Sequence, residues 1–404
     1  MACIIEPERS VSVTAETDVL VVGGGIAGVS AALAAARNGK RTLLLEREYG
    51  LGGMATLGLI TIYLPLCDGM GHQVIYGIPE ELFRLSISLG AEAEYPSAWL
   101  DGGSPEERAK KRFQVRYNPN LFNLLMEKLL RESGVTILYG TVACGVKMEG
   151  RRIDSVIIEN KSGRGAIRAK TFVDCSGDAD ICHLAGAETR ENPKGNGLAD
   201  WYYYFTEGQV NLAMFGLADV VPSEKGSYGN TAKTTAIGAL RFSGVDGWEL
   251  SEAVQAAHEQ LLGNVLQRRE TAPDFVPVSM SSIPLVRMSR RLSGRCTMES
   301  GDAYRSMPDS IGMTGDWTKR GPIYEIPFSS LVGSEVENLI CAGRLISTSD
   351  AVWNVTRVIP PCAVTGQAAG TAAALFDSFD DPDIALLQET LRTQKVKLHK
   401  EDVL

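Results

Sequence analysis

The chain has 404 residues, of which 44% are hydrophobic and 22% are charged, and its formal net charge is −9. This composition is that of a folded globular protein, and the length predicts two or three domains rather than one core. Because acidic and basic residues are interspersed without a long basic block, the charge pattern argues against nucleic acid as the main partner.

The beginning of the chain and its thiols predict a cytoplasmic protein. Residues 1–18 contain no long apolar run after a basic start, so they do not look like a secretory signal. The eight cysteines include no C-x-x-C pair and are too sparse for a disulfide scaffold. No His, Cys and Asp cluster has the spacing of a zinc site, and we therefore predict no bound metal.

Residues 19–36 carry no charge and are just long enough to be considered as a membrane span. They are interrupted by three consecutive glycines and are dominated by glycine and alanine. A buried strand followed by a buried helix explains the same run better, so we predict no membrane span.

The first predicted elements form a β-α-β unit. Residues 18–22 are a β-branched run typical of a buried parallel strand, and residues 29–38 are an alanine-rich helix that ends before Gly39. Residues 41–45 form a second strand, which ends at Glu46.

The loop inside this unit has the spacing of a dinucleotide site. Gly23 permits a tight turn, Gly25 lets a pyrophosphate approach the backbone, and Gly28 lets the helix pack closely on the strand. The helix N-terminus favours the phosphates, and Glu46 is placed to accept hydrogen bonds from ribose hydroxyls. Strand, loop, helix, second strand and acid occur in the expected order, which predicts dinucleotide binding.

The middle of the chain predicts more of the same sheet. Residues 119–133 form an amphipathic helix, and residues 135–138 a third parallel strand. Three alternating runs then predict an antiparallel meander at residues 142–147, 153–160 and 166–169. A further buried strand is predicted at residues 171–177.

Near the C-terminus, residues 338–344 are predicted as another buried strand that ends in a glycine. Pro360 and Pro361 precede a predicted helix at residues 362–376, and proline is well tolerated where a helix begins. If the cofactor is a flavin, the N-terminus of this helix would stabilise negative charge on the pyrimidine part of the ring.

With these motifs the chain resembles the FAD-dependent oxidoreductase family of the glutathione-reductase-type flavoproteins, over residues 17–377. The most specific stretches are VVGGGIAGVSAALAAARNG, GGMATLGLI, FVDCSGDAD, NLICAGRLIS and RVIPPCAVTGQAAGTAAAL. The resemblance implies an α/β fold: a Rossmann-like FAD-binding domain with a parallel sheet and crossover β-meander, and an inserted α+β substrate domain.

The resemblance also implies a division of the chain and a set of cofactor contacts. The FAD-binding domain would comprise residues 15–66, 112–197 and 335–380, the substrate or cap domain residues 67–111 and 198–334, and a C-terminal helix or tail residues 381–404. The residues expected to contact FAD are Gly23, Gly25, Ile26, Ala27, Gly28, Glu46, Arg47, Gly52, Gly53, Met54, Ala55, Val142, Ser176, Gly177, Gly343, Arg344 and Ala363. A second G-x-G-x-x-G and a C-x4-C pair are both missing, so a disulfide reductase is disfavoured.

The resemblance implies hydride transfer between a small polar organic substrate and flavin N5. The predicted catalytic residues are Arg357, Arg291, Tyr63 and Asp350. Arg357 directly precedes the flavin-facing helix, and an arginine there could bind a carboxylate or polarise a carbonyl. Other groups weighed for substrate binding or proton transfer are Arg287, Arg290, His72 and Tyr324. Cys67 is expected to be a packed thiol.

Two other functions stay open at this point. In one, FAD has a structural role in an RNA-modifying or partner-binding protein; in the other, the protein is an NAD-dependent dehydrogenase. The short basic group at residues 108–112 is the only feature in favour of the first, and a solvated helix face explains it equally well. The electron acceptor, and whether the chain forms a homo-oligomer, are left open by the sequence.

Overall fold

The computed structural model describes residues 3–5, 7–216 and 237–404. Over these residues the chain forms the strands β1 (Val13–Val22), β2 (Thr42–Leu45), β3 (Ile62–Tyr63), β4 (Val115–Arg116), β5 (Thr136–Leu138), β6 (Val142–Glu149), β7 (Arg152–Asn160), β8 (Gly163–Asp174), β9 (Thr189–Glu191), β10 (Asn196–Leu198), β11 (Asp200–Thr206), β12 (Gln209–Phe215), β13 (Ile237–Phe242), β14 (Val276–Met280), β15 (Arg290–Leu292), β16 (Ser310–Gly315), β17 (Ile323–Pro327) and β18 (Leu339–Cys341).

The helices of the described residues are α1 (Ile26–Arg37), α2 (Ile78–Ser86), α3 (Ser97–Leu100), α4 (Pro105–Lys110), α5 (Pro119–Glu132), α6 (Asp180–Leu184), α7 (Gly247–Arg269), α8 (Asp350–Thr356), α9 (Ile359–Leu375) and α10 (Ile384–Thr393). Short 3-10 turns lie at Gly53–Ala55, Ser300–Asp302, Phe328–Ser330 and Lys400–Asp402. In the described part of the chain, no helix is both long and apolar enough to cross a membrane.

The main sheet confirms the predicted Rossmann-like α/β fold. Its parallel part has the strand order β5-β2-β1-β8, and β18 adds a further parallel strand beside β8. The meander β6-β7-β8 is antiparallel, as expected from its alternating runs. The run predicted at residues 166–169 and most of the one predicted at residues 171–177 belong to a single strand, β8, which ends at Asp174.

Because β8 is long, it joins the antiparallel meander and the parallel strands within one sheet. Its first half pairs with β7, and its last residues, Phe172 to Asp174, pair with β18. Along its other edge β8 pairs with β1. The meander therefore continues directly into the parallel sheet, and the carboxyl ends of β1 and β8 lie side by side, where ligands bind in open parallel sheets.

Helices α1 and α9 pack closely on one face of the sheet because small residues line their contact. A Cβ atom added to Gly366 would overlap the backbone oxygen of Ala27, and one added to Gly370 would overlap that of Ala31. Both helices start earlier than predicted: α1 begins at Ile26 and therefore contains Gly28, and α9 includes both prolines in its first turn.

A second sheet lies outside the Rossmann-like core. The aromatic run at residues 201–205 belongs to β11, the central strand of an antiparallel sheet with the order β12-β11-β14. Tyr202 on this strand packs with Leu261 and Val265 of α7 and with Phe275. By contrast, Phe83 and Trp99, from the segment predicted to belong to the cap, pack into the same core as α1 and α9. The domain boundaries stay a prediction.

Candidate active site

A cavity of about 740 Å³ opens at the carboxyl ends of β1, β2 and β8. Part of its lining, here called the first wall, comes from the glycine loop and its neighbours, within residues 22–55, 141–143, 175–180 and 342–344. The rest, here called the second wall, comprises Leu57, Ile60, Ile62, Leu64, Glu94, Arg112, Gln114, Trp201, Met214, Ile283, Pro284, Arg287, Trp317, Thr318, Arg357, Val358, Ile359 and Cys362. This volume is within the usual range of ligand sites.

The three glycines of the loop differ in the space around them: Gly25 is open to a ligand, whereas no side chain fits at Gly23 or Gly28. Gly23 has a φ of +103°, and a Cβ there would overlap the carbonyl group of Cys175. A Cβ on Gly28 would overlap the carbonyl oxygen of Gly23. At Gly25 a Cβ would meet no atom within 4 Å, because this residue faces the cavity.

Gly25 is also the N-cap of α1, and no side chain caps this helix. The first turn of a helix has N–H groups without intrahelical partners, and they carry partial positive charge. Since Ile26 and Ala27 line the cavity, this end of α1 presents that charge to it. The loop is therefore built to bind an anion such as a pyrophosphate.

Glu46 is held at the end of β2 by two backbone N–H groups. Gly24 donates to one carboxylate oxygen at 2.6 Å, and Glu48 donates to the other at 2.8 Å. Burial raises the pKa of Glu46, and these two hydrogen bonds oppose that shift. Each oxygen keeps a lone pair for a further donor, so the carboxylate can accept hydrogen bonds from hydroxyl groups in the cavity.

Arg344 is fixed at the first wall by three contacts. Its guanidinium donates to the Gly177 carbonyl at 2.6 Å and to Asp178 at 2.7 Å, and it also lies 2.9 Å from the Met54 sulfur. Ordinary rotation of a long side chain is thereby prevented, and a planar cation faces the cavity. The same wall contains Asp180, whose pKa is raised to about 6 by burial and by the neighbouring carboxylates.

Most residues predicted to contact the cofactor lie on the first wall. These are Gly23, Gly25, Ile26, Ala27, Glu46, Arg47, Gly52, Gly53, Met54, Ala55, Val142, Ser176, Gly177, Gly343 and Arg344. Gly28 and Ala363 do not line the cavity. Gly28 instead permits the contact with Gly23, and Ala363 is fully buried, with its carbonyl accepting a hydrogen bond from Ser30.

Of the four predicted catalytic residues, the structure brings only Arg357 to the cavity. Its guanidinium donates to the side-chain carbonyl of Asn354, which lies on the same helix end. The structure corrects the prediction for Tyr63, which does not line the cavity. Along β3, Ile62 and the following Leu64 face the cavity, so strand alternation turns Tyr63 to the opposite side. There it is fully buried and donates to the Pro79 carbonyl at 2.7 Å.

The structure also corrects the prediction for Arg291 and Asp350. Neither lines the cavity, and the two side chains pair with each other. Their side chains form an ion pair at 2.7 Å, and the Arg291 guanidinium lies 4.1 Å from the centre of the Trp353 ring. Trp353 in turn donates to the Arg344 carbonyl at 2.6 Å. The cluster is thereby connected to the backbone of Arg344, which follows β18.

Three other groups weighed from the sequence are off the cavity as well. His72 lies in an exposed loop and contacts the buried Asp68 at 2.8 Å. Tyr324 is buried in β17, and Cys67 is a buried thiol whose pKa is raised by burial. Cys362, which sequence reasoning passed over, does line the cavity, and burial raises its pKa to about 12. Its thiol therefore stays protonated at neutral pH.

The second wall contains residues that sequence reasoning missed. Arg112 and Gln114, just before β4, line the cavity, and Phe113 between them is buried on the opposite side. Polar and apolar residues thus alternate along this segment, as in a strand with one side facing a cavity. Trp317 donates to the Asn354 carbonyl at 2.9 Å, which joins it to the end of α8. Nothing local in the sequence places Trp317 beside a site, because it comes from a loop between β16 and β17.

Arg287 lies on the second wall, whereas its neighbour Arg290 pairs with Asp180 at 2.9 Å. The Arg287 guanidinium lies 5.7 Å from the centre of the Trp201 ring. The sequence alone did not distinguish which of Arg287, Arg290 and Arg291 would reach the cavity. Within residues 3–5, 7–216 and 237–404, no group of three or more His, Cys, Asp and Glu side chains could hold a metal ion.

A family model for FAD-dependent oxidoreductases matches residues 18–236 and 204–381 of the chain. The chain belongs to this family. It is therefore a flavoprotein enzyme that binds FAD, as the sequence predicted.

Individual relatives of this FAD-dependent oxidoreductase differ in what they do. The chain is 27% identical to a thiamine thiazole synthase of Sulfolobus acidocaldarius over 44% of its own length and 61% of that protein. It is 26% identical to a tRNA uridine 5-carboxymethylaminomethyl modification enzyme of Chlorobium phaeovibrioides, over 45% of this chain and 29% of that enzyme. The chain thus matches less than two thirds of the length of either relative.

One solved structure similar to the chain is a geranylgeranyl bacteriochlorophyll reductase-like protein from Thermoplasma acidophilum. The match covers 94% of this chain and 84% of that protein, with 15% sequence identity and a TM-score of 0.45.

The first wall of the FAD-dependent oxidoreductase fits its cofactor. The open space at Gly25 and the uncapped start of α1 suit the pyrophosphate, and the Glu46 carboxylate suits ribose hydroxyls. We propose that Ser176, Gly177 and Arg344, which line the same wall, also contact the cofactor. These assignments of individual residues are proposals.

Proposed function

We propose that this protein transfers a hydride between a small polar organic substrate and FAD. The observation that carries the proposal is the continuity of one cavity, in which the dinucleotide wall and a wall of arginine and tryptophan side chains face the same space. When bound, FAD supplies N5 as the hydride donor or acceptor.

The second wall would bind and orient the substrate. Arg357 donates to the side-chain carbonyl of Asn354, and the backbone carbonyl of Asn354 accepts a hydrogen bond from Trp317. A guanidinium fixed in this way offers a planar pair of donors to a carbonyl or carboxylate group. Because such positioning removes rotational freedom before the reaction, it contributes directly to rate.

Apolar side chains on the same wall would exclude water from the reacting atoms. Ile60, Ile62 and Leu64 come from β3 and the residues next to it, and Ile283 and Pro284 come from the segment after β14. Removing water strengthens the electrostatic contacts of the neighbouring arginine side chains.

The test has two steps. The purified protein should show the visible absorbance of bound flavin, and anaerobic mixing with candidate substrates should bleach it. An Arg357→Gln variant should retain flavin but reduce the bleaching rate by about a hundredfold or more. Arg305→Gln, a change of an exposed arginine on the surface, is the matched control.

Retained flavin that no candidate substrate bleaches when it is oxidised, and that none reoxidises anaerobically after chemical reduction, would favour a structural role for FAD. Equal bleaching rates in the wild type and Arg357→Gln would remove Arg357 from the reaction. Purified protein that is colourless and cannot be reconstituted with FAD would contradict the cofactor assignment itself.

A further inference from the structure

Two buried cysteines that are far apart in the sequence meet next to the segments that form the first wall. The Sγ atoms of Cys182, in α6, and Cys341, in β18, are 3.0 Å apart, although 159 positions separate the two residues. Both side chains are shielded from solvent, and both thiols are free. At this distance one thiol donates a weak hydrogen bond to the sulfur of the other.

The buried Asp174 explains why these two thiols meet. Its side chain accepts a hydrogen bond of 3.0 Å from the backbone N–H of Cys182. Cys341 is its register partner on the neighbouring strand β18, and the N–H of Ala342 donates to the Asp174 carbonyl at 2.9 Å. One residue at the end of β8 thus positions the backbone of both cysteines, so regular elements of the fold bring the sulfur atoms together.

The surroundings of the pair leave the two side chains room to adjust. Leu292, Val336 and Leu339 belong to the same buried apolar cluster as both cysteines, and a narrow gap lined by these residues borders the two thiols. A disulfide bond is about 2.05 Å long, so the sulfur atoms need to approach each other by about 1 Å. Small side-chain rotations are sufficient for this approach.

We propose that Cys182 and Cys341 form a disulfide bond when the protein meets a small hydroperoxide such as hydrogen peroxide. One cysteine attacks the peroxide as a thiolate, which breaks the O–O bond, leaves a sulfenic acid on that cysteine and releases water. The other cysteine then attacks the sulfenic sulfur and releases a second water molecule. Overall, the two thiols lose two electrons and two protons, and the peroxide is reduced to two water molecules.

The hydrogen bond between the thiols indicates which cysteine reacts first. The bond to Cys341 raises the pKa of Cys182 well above its usual value, and burial adds to this shift. Burial also raises the pKa of Cys341, but there the hydrogen bond from Cys182 acts in the opposite direction. Cys341 is therefore easier to ionise, so it attacks the peroxide and Cys182 forms the bond. Because both thiols are buried, a small oxidant reacts slowly and a bulky one is excluded.

The disulfide bond would join two elements that contribute to the first wall. Asp180 begins α6, and residues 342–344 directly follow β18, and all of them line the cavity. A bond between residues so far apart in the sequence closes a long loop, which restricts the unfolded chain strongly. The oxidised protein should therefore unfold at a higher urea concentration than the reduced protein.

The test treats the purified holoprotein with excess hydrogen peroxide and then blocks the remaining thiols with N-ethylmaleimide in urea. Mass spectrometry of the digested protein should find the peptides that contain Cys182 and Cys341 joined in most molecules, and dithiothreitol should separate them. The urea midpoint of the oxidised protein should fall by about 0.5 M or more after dithiothreitol. In Cys182→Ser and Cys341→Ser, whose flavin absorbance shows that they have folded, dithiothreitol should leave the midpoint unchanged.

The proposal is overturned if both cysteines carry N-ethylmaleimide after the peroxide treatment, or if oxidation stops at a sulfinic or sulfonic acid on either one. It is also overturned if Cys182 is joined to Cys175 as often as to Cys341, or if the bond forms only in protein unfolded with urea before oxidation, because the native contact would then not select the pair. A bond that forms without raising the urea midpoint would overturn its stabilising role.

Discussion

The backbone N–H of Gly24 donates a 2.6 Å hydrogen bond to the carboxylate of Glu46, which ties the glycine loop to the end of β2. The acid is thereby oriented before any ligand binds, and its cost of burial is partly offset. This single contact joins the two sequence signals of the dinucleotide site, the loop and the terminal acid.

Replacing Glu46 by Gln should weaken FAD binding by about tenfold or more, because hydrogen bonds to a charged acceptor contribute about 1.5–3 kcal/mol. The measurement is a titration of the apoprotein with FAD, followed by flavin fluorescence. Glu132→Gln, an exposed change in α5, is the control. An unchanged dissociation constant for Glu46→Gln would place the ribose elsewhere.

Gly370→Ala should destabilise the protein by about 1–3 kcal/mol, since the new Cβ would overlap the Ala31 backbone and force α1 and α9 apart. Gly263→Ala is the matched control, because Gly263 lies in α7 with no atom within 4 Å of a new Cβ. Alanine there should stabilise the protein by about 1 kcal/mol through helix propensity. Urea unfolding of both variants measures the two effects, and a similar sign for both would contradict the close packing of α1 on α9.

Tyr63→Phe should reduce the free energy of unfolding by about 1–2 kcal/mol, because the Pro79 carbonyl loses its buried donor. Turnover of the folded variant should stay close to that of the wild type, since Tyr63 faces away from the cavity. Steady-state rates at a temperature well below the unfolding transition separate the two effects. A large loss of turnover with unchanged stability would restore Tyr63 as a catalytic residue.

Alkylation with iodoacetamide should modify Cys3 and spare Cys67, Cys175 and Cys362 in the native protein. Cys3 is exposed, whereas burial of the other three raises the pKa of each thiol and limits access to it. Mass spectrometry of the digested protein, with a urea-unfolded sample as the control, locates the label. Rapid native labelling of Cys362 would show a reactive thiol in the cavity.

The contribution of Asp180 to the stability of the apoprotein should become less favourable as the pH rises from about 4 to about 6. The pKa of Asp180 is raised by burial to about 6, from a value of 3.8 for the free side chain. Between these two values the folded chain retains a proton that the unfolded chain has released, so rising pH favours unfolding. Above the folded pKa this contribution stays constant.

Asp180→Asn removes this titration and provides the comparison. The stability difference between the wild type and the variant, measured by urea unfolding across this pH range, should change with pH only below about 6. Because Asp180 is partly exposed, water screens the effect and reduces its size. A difference that does not vary with pH would show that Asp180 titrates normally.

Local sequence patterns predicted the FAD-binding half of the protein well. The glycine spacing, the Ala-rich helices and the β-branched runs are short-range signals, and the elements they predicted are present in the structure. The alternation around β3 and β4 was also readable, yet its consequence for Tyr63 was missed, because the side of a strand that faces a cavity depends on what packs on the other side.

The sequence by itself determined the FAD family and the elements of the dinucleotide loop, because backbone geometry at Gly23, Gly25 and Gly28 imposes a local spacing of residue types. Only the tertiary structure decided which arginines reach the cavity. Arg287 and Arg357 face it while Arg291 pairs with Asp350, a difference that arises from long-range packing and that no local pattern encodes. Local sequence motifs predict most residues of the first wall, whereas the second wall is assembled from segments far apart in the chain.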